Sequence, residues 1–138
     1  MNALRKLYKE LTSLHWEIGF LDNTFEGIVR GDKLKLTLVT HNFPNSWFAD
    51  PFILDVTDDT IIVLVEEVTK KISKGRISKL VIDRRNNYVI EKKVILERPG
   101  HLSFPIIYRK DDKIYVYPEN SEDGVLNIYE YNPINDDM

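Results

Sequence analysis

The chain has 138 residues and is 43% hydrophobic, 30% charged and 11% aromatic, the profile of a folded globular domain and not of a disordered tail or a membrane protein. Its 19 Lys and Arg against 22 Asp and Glu leave a net charge of -3, so no overall basic excess draws it to nucleic acid. The absence of cysteine excludes a disulfide frame, a thiolate metal site and a cysteine nucleophile, and no apolar run approaches the roughly 18 residues of a spanning helix. A soluble protein is expected, placed in the cytoplasm and with neither nucleic acid nor membrane as partner.

The first stretch, Asn2 to Leu14, sets Leu4, Leu7, Tyr8, Leu11 and Leu14 at three- and four-residue spacings, the period of a short amphipathic helix. From Trp16 onward the pattern turns to β-branched and aromatic segments broken by turn formers. The expected strands are His15 to Leu21, Lys33 to Thr40, Ala49 to Val56, Thr60 to Glu67, Gly75 to Asp83, Tyr88 to Leu96, Ser103 to Lys110, Lys113 to Pro118 and Val125 to Tyr131. Between them lie Arg30-Gly31-Asp32, read as a hairpin turn, then Thr57-Asp58-Asp59, Arg84-Arg85-Asn86-Asn87, Lys110-Asp111-Asp112 and Glu122-Asp123-Gly124. Lys70, Lys71 and Lys74 read as a solvated basic loop. Such strand spacing predicts a mostly β, antiparallel sandwich, barrel or propeller.

One plan occurs twice. The first copy runs Phe48-Ala49-Asp50-Pro51-Phe52, an acidic turn, an apolar strand ending in Glu66-Glu67, and Gly75 opening a further strand. The second runs Leu102-Ser103-Phe104-Pro105-Ile106, an acidic turn, a strand ending in Pro118-Glu119, and Gly124. Pro51 and Pro105 lie 54 positions apart, close to one four-stranded propeller blade with its connections.

Trp47-Phe48-Ala49-Asp50-Pro51-Phe52, Val65-Glu66-Glu67, Gly75-Arg76-Ile77, His101-Leu102-Ser103-Phe104-Pro105 and Tyr115-Val116-Tyr117-Pro118-Glu119-Asn120 together resemble one propeller family. It is named for the N-terminal domain of plant glucosamine inositolphosphorylceramide transferase. It looks like a branch of the five-bladed clan that contains arabinanases, β-xylosidases, invertases and levansucrases. The resemblance spans about Trp16 to Tyr131 and includes a lead-in at Trp16-Glu17-Ile18-Gly19. It implies antiparallel four-stranded blades of a partial five-bladed propeller. Residues 1–46 would form the helix and lead-in strands, 47–100 a first blade and 101–138 a second, incomplete one. The implied partner is a carbohydrate or sugar-containing small molecule.

In glycosidases of that clan an Asp of an Asp-Pro pair on the first innermost strand acts as nucleophile or base, and the matching position is Asp50. Such chemistry needs a second, protonated carboxyl to serve the leaving oxygen. Ser103-Phe104-Pro105 lacks the Asp-Pro expected of a supporting acid, and Glu119 is only a loose counterpart of the general acid. Against the pocket reading, Asp50 can also be a strand-start residue beside a rigid proline.

Glu66 and Glu67 end an apolar strand, so one faces each way, and periodicity does not choose between them. Glu119 either lines a pocket or caps a turn. Trp47 and Phe48 offer aromatic faces for sugar stacking or for the core. His101, Ser103 and Asn120 are candidate sugar contacts by resemblance, and His101 can equally be a satisfied loop histidine. His15 and His41 have no metal-ligand spacing, and neither metal nor cofactor is expected.

A five-bladed pocket needs roughly twenty strands, which exceeds what the chain supplies. The expectation is therefore a binding or accessory module, not catalytic alone, that covers its open sheet edges by homo-oligomerisation. The competing expectations are a glycosidase or glycosyltransferase whose pocket is completed by oligomerisation, and a non-enzymatic β-rich interaction domain.

Overall fold

The computed structural model describes residues 16–138; the helix expected over Asn2 to Leu14, and His15, lie outside them. The lead-in is β1 (Gly19–Leu21), α1 (Phe25–Arg30) and β2 (Leu36–Leu38), with β1 and β2 antiparallel. Arg30-Gly31-Asp32 is a helix end and not the expected hairpin turn. Thr24 caps α1 by accepting from the Gly27 N–H at 3.1 Å, and Gly31, at φ 83°, closes it in the left-handed region. The expected flanking strands shrink to three residues each, the stretch over which Gly19–Leu21 and Leu36–Leu38 pair.

A four-stranded meander follows, β3 (Ser46–Val56), β4 (Thr60–Thr69), β5 (Arg76–Asp83) and β6 (Tyr88–Leu96), paired antiparallel in that order. A three-stranded antiparallel sheet comes next, β7 (Ser103–Lys110), β8 (Lys113–Glu119) and β9 (Tyr129–Tyr131). The chain is thus mostly β and antiparallel. The acidic β7–β8 turn places Asp111 and Asp112 both at positive φ, 50° and 61°, as a two-residue hairpin of primed type requires. The strand expected from Val125 begins only at Tyr129, where pairing to β8 starts.

The central sheet is covered on both faces, which explains why β4 reads as a nearly continuous apolar run. On one side Phe48, Val63, Val65, Leu80 and Ile82 pack against Ile18 and Val39 of the lead-in. On the other, Leu54, Leu64, Ile77 and Ile95 pack against Leu102, Val116 and Tyr131 of the C-terminal sheet. Asp136 clasps the two sheets together: its carboxylate accepts from Lys79 on β5 and from Tyr131 on β9, with Lys93 of β6 at 3.6 Å.

The repeated sequence plan has a repeated backbone. In β3 the register slips between Ala49 and Phe52, opposite Glu66 and Leu64, so three steps on one strand face two on the other. In β7 it slips in the same way between Ser103 and Ile106, opposite Glu119 and Tyr117. Each bulge holds a non-glycine residue in the left-handed region immediately before proline: Asp50 at φ 50° and Phe104 at φ 45°. Such conformations cost about 1–3 kcal/mol and persist where surrounding contacts enforce them.

Candidate functional site

The first bulge directs Asp50 toward Glu66 at the end of β4, and the two carboxyl groups are in hydrogen-bonding contact. Glu66 is largely buried. His101, just ahead of β7, reaches across from the other sheet with Nε2 3.1 Å from Glu66 Oε1. Its Nδ1 accepts the Gly75 N–H at 2.9 Å. Gly75 has no room for a side chain: a Cβ there would lie 2.3 Å from the Leu102 carbonyl oxygen and 2.6 Å from Glu66 Oε1. The Leu102 N–H donates back to the Gly75 carbonyl at 2.9 Å. The start of β5, the end of β4 and the entry to β7 are therefore stitched at one point. Burial, and then the hydrogen bond and negative charge of Asp50, push the Glu66 carboxyl up to about 7. Near neutrality the Asp50–Glu66 pair thus retains a proton, one carboxyl a donor and the other an acceptor.

Glu67, the neighbouring carboxylate, does something different. It is fully buried on the opposite face and accepts from Ser46 Oγ at 2.8 Å, Ser78 Oγ at 2.6 Å, Arg76 Nε at 3.2 Å and Lys92 Nζ. Burial alone would raise it, but hydrogen bonds from Lys92, Ser78, Ser46 and Arg76 outweigh that and hold it at about 2. Every polar site of this carboxylate is taken by the protein itself, which makes Glu67 an internal anchor. The question left open by strand periodicity is answered by the partners: Glu66 faces the seam between the sheets, Glu67 the core beside the lead-in.

The other expected site residues are more dispersed. Phe48 is 2% exposed and edge-on to His41 and Phe43, so its ring belongs to the core. Trp47 is half-buried opposite Val68. Glu119 is exposed at the end of β8 opposite half-buried Ser103, the register counterpart of Glu66 opposite Ala49. Asn120 is buried; its Oδ1 accepts from the Asp123 N–H at 3.3 Å and its Nδ2 has no hydrogen-bond partner among the described residues. Because Phe104 occupies the place of Asp50 in the second copy, the carboxyl pair occurs in the first copy alone. Lys74 of the expected solvated loop is tied to Glu122 at 3.1 Å and to the Pro99 carbonyl. No group of three or more His, Asp or Glu among the described residues is arranged to hold a metal ion. No helix among them is long and apolar enough to cross a membrane.

Fold and site together define an antiparallel β module that holds an Asp–Glu pair and a histidine at the seam of two stacked sheets. The family of the N-terminal region of glucosamine inositolphosphorylceramide transferase 1 matches residues 35–135, and the chain belongs to that family. Glucosamine inositolphosphorylceramide transferase 1 of Arabidopsis thaliana is 30% identical over 86 residues, 62% of this chain. The match spans only 11% of that plant protein. No solved structure matches the chain.

Proposed function

We propose that this chain is a carbohydrate-related module whose two larger sheets are successive blades, 47–100 and an incomplete 101–138, of a five-bladed β-propeller. Its role is to bind a sugar or to assist glycan processing, without catalysing alone. The observation that carries the reading is the Asp50–Glu66–His101 cluster at the seam between two sheets with the same proline-linked bulge. The carboxyl oxygens of this cluster keep lone pairs that accept from sugar hydroxyls, while the imidazole holds one of them in place. Family membership and the glycolipid transferase named in the plant relative support a glycan setting.

The described strands amount to less than half of the roughly twenty in a five-bladed propeller. Open edges at β6 and β9 would then be covered by further blades or by a second copy of the chain. The lack of cysteine fits a reducing compartment such as the cytoplasm. The test is a titration of monosaccharides and methyl glycosides followed by amide shifts of Gly75, Leu102 and the Asp50 segment. Wild type is expected to respond and Asp50→Asn to lose affinity by about tenfold. A protein whose site amides ignore every sugar is a β-rich interaction domain instead.

A second reading is favoured by the proton shared near neutrality. In it Asp50 serves as base or nucleophile and Glu66 as acid, in a glycosidase or glycosyltransferase pocket completed by oligomerisation. Aryl glycoside turnover that disappears in Asp50→Asn and grows with protein concentration would establish it over the binding module.

A further inference from the structure

His101 donates to one oxygen of Glu66 from the far side of the seam, and its other nitrogen is occupied. The Gly75 N–H points at Nδ1, which must therefore carry a lone pair, so the ring is neutral and its one N–H sits on Nε2, 3.1 Å from Glu66 Oε1. That bond engages Oε1 as an acceptor, while the same carboxyl is hydrogen-bonded to Asp50. No Lys or Arg forms an ion pair with Asp50 or Glu66 among the described residues. Two cations flanking Gly75 are engaged elsewhere, Lys74 by Glu122 and Arg76 by Glu67 and Glu97. Protons and hydrogen bonds, and not a basic side chain, therefore fix the polarity of the pair.

We infer that His101 is a positioning residue which, from the second sheet, orients the Glu66 carboxyl so that the Glu66–Asp50 pair, its proton held between the two groups, presents free acceptor lone pairs side by side. That arrangement fits two adjacent hydroxyls of a neutral sugar, and it exists only while the C-terminal sheet is docked on the central one. The inference rests on the reading of this cluster as the sugar contact. Its test includes a readout that needs no sugar.

Two amide substitutions separate the two jobs of the ring. His101→Gln puts an amide N–H near the Nε2 position and keeps the donor to Glu66, while His101→Asn puts an amide oxygen near Nδ1 and keeps only the acceptor for Gly75. The Glu66 side-chain carboxyl is followed by carbon-13 NMR across pH, beside binding of methyl glycosides that carry or lack a free vicinal diol. Expected is a Glu66 midpoint close to wild type in His101→Gln and displaced by about one pH unit in His101→Asn, with diol affinity down about tenfold only in His101→Asn.

Nitrogen-15 shifts of the wild-type ring should report the Nε2–H tautomer at about pH 8, which keeps the test independent of how either variant folds. An Nδ1–H tautomer, or a Glu66 midpoint equally unchanged in both variants, overturns the inference. If no glycoside binds wild type but the tautomer and midpoints behave as expected, the positioning role stands and the sugar reading fails.

Discussion

Replacing Glu67 by Gln separates the anchoring carboxylate from the site carboxylate one residue away. Gln can accept from only one of Ser46 and Ser78, which donate to different carboxylate oxygens, and it carries no charge for Lys92 and Arg76, whose side chains are each only 17% exposed. The free energy follows from the shift of Glu67 from 4.5 to about 2. At about 1.4 kcal/mol per pH unit, the charged form is favoured in the folded state by about 3 kcal/mol. A depressed carboxyl contributes this above its unfolded value and loses it as pH falls from 4.5 toward 2, so less than half remains at pH 3. Urea denaturation of wild type and Glu67→Gln should therefore show a gap of about 3 kcal/mol at pH 7 that shrinks by about 2 kcal/mol at pH 3. Carboxyls common to both proteins cancel in that difference. A gap of the same size at both pH values, or one below about 1 kcal/mol at pH 7, would refute the assignment of Glu67 as a charged anchor.

Glu66 predicts the opposite slope: with its folded value raised to about 7, stability is fully present below 4.5 and declines as pH rises through 7. Glu66→Gln should thus gain about 1–2 kcal/mol over wild type at pH 8 and little at pH 4, read by chemical denaturation, a site-for-stability exchange. Gly75→Ala drives a methyl into the Leu102 carbonyl and Glu66, and should lower stability by about 3 kcal/mol while erasing the Glu66 titration seen by NMR. Asp136→Asn keeps the left-handed backbone at φ 57° but removes the charge between Lys79 and Tyr131; thermal unfolding should report a loss of about 1.5–3 kcal/mol. Gly31→Ala, with open space around it, should cost only the left-handed backbone penalty of about 1–2 kcal/mol, confined to amide exchange in α1.

Much of the central architecture was legible in the sequence because local signals and tertiary pairing agree there. Thr57 to Thr60, Arg84 to Asn87 and the Asp111-Asp112 pair each sit where a hairpin reverses, and the strands between them are rich in Val and Ile. α1 was missed for an equally local reason. It has six residues, buries only Gly27, and so leaves Phe25, Ile28 and Val29 without the apolar stripe that marks a packed helix. Its readable signals were the ends, Thr24 as an N-cap and Gly31 after the last turn. The site was half legible. Asp50 and Glu66 were named, but their contact depends on a bulge that rotates Asp50 out of the alternation of β3, and no period-two reading contains that rotation. The union of His101 with Glu66 and Gly75 joins residues 35 and 26 positions apart across two sheets, which only the packing can bring about.

The two glutamates at the end of β4 show how one strand gives the same side chain two opposite environments. A strand covered on both faces turns successive side chains into two different environments, so a one-residue step from Glu66 to Glu67 crosses the sheet. On the lead-in side, two hydroxyls and two cations converge and the carboxylate is held charged by groups that leave it no spare acceptor. On the seam side burial and then the neighbouring Asp50 raise the carboxyl, so near neutrality the pair keeps a proton and part of its hydrogen-bonding capacity. The same residue type thus receives opposite pKa shifts from the partners each face supplies. The second copy of the repeat retains the bulge and places Glu119 opposite Ser103, but Phe104 stands in place of Asp50. The shared geometry is therefore a property of the proline-linked fold, and what distinguishes the first copy is the carboxylate at position 50 together with the histidine that the neighbouring sheet brings to Glu66.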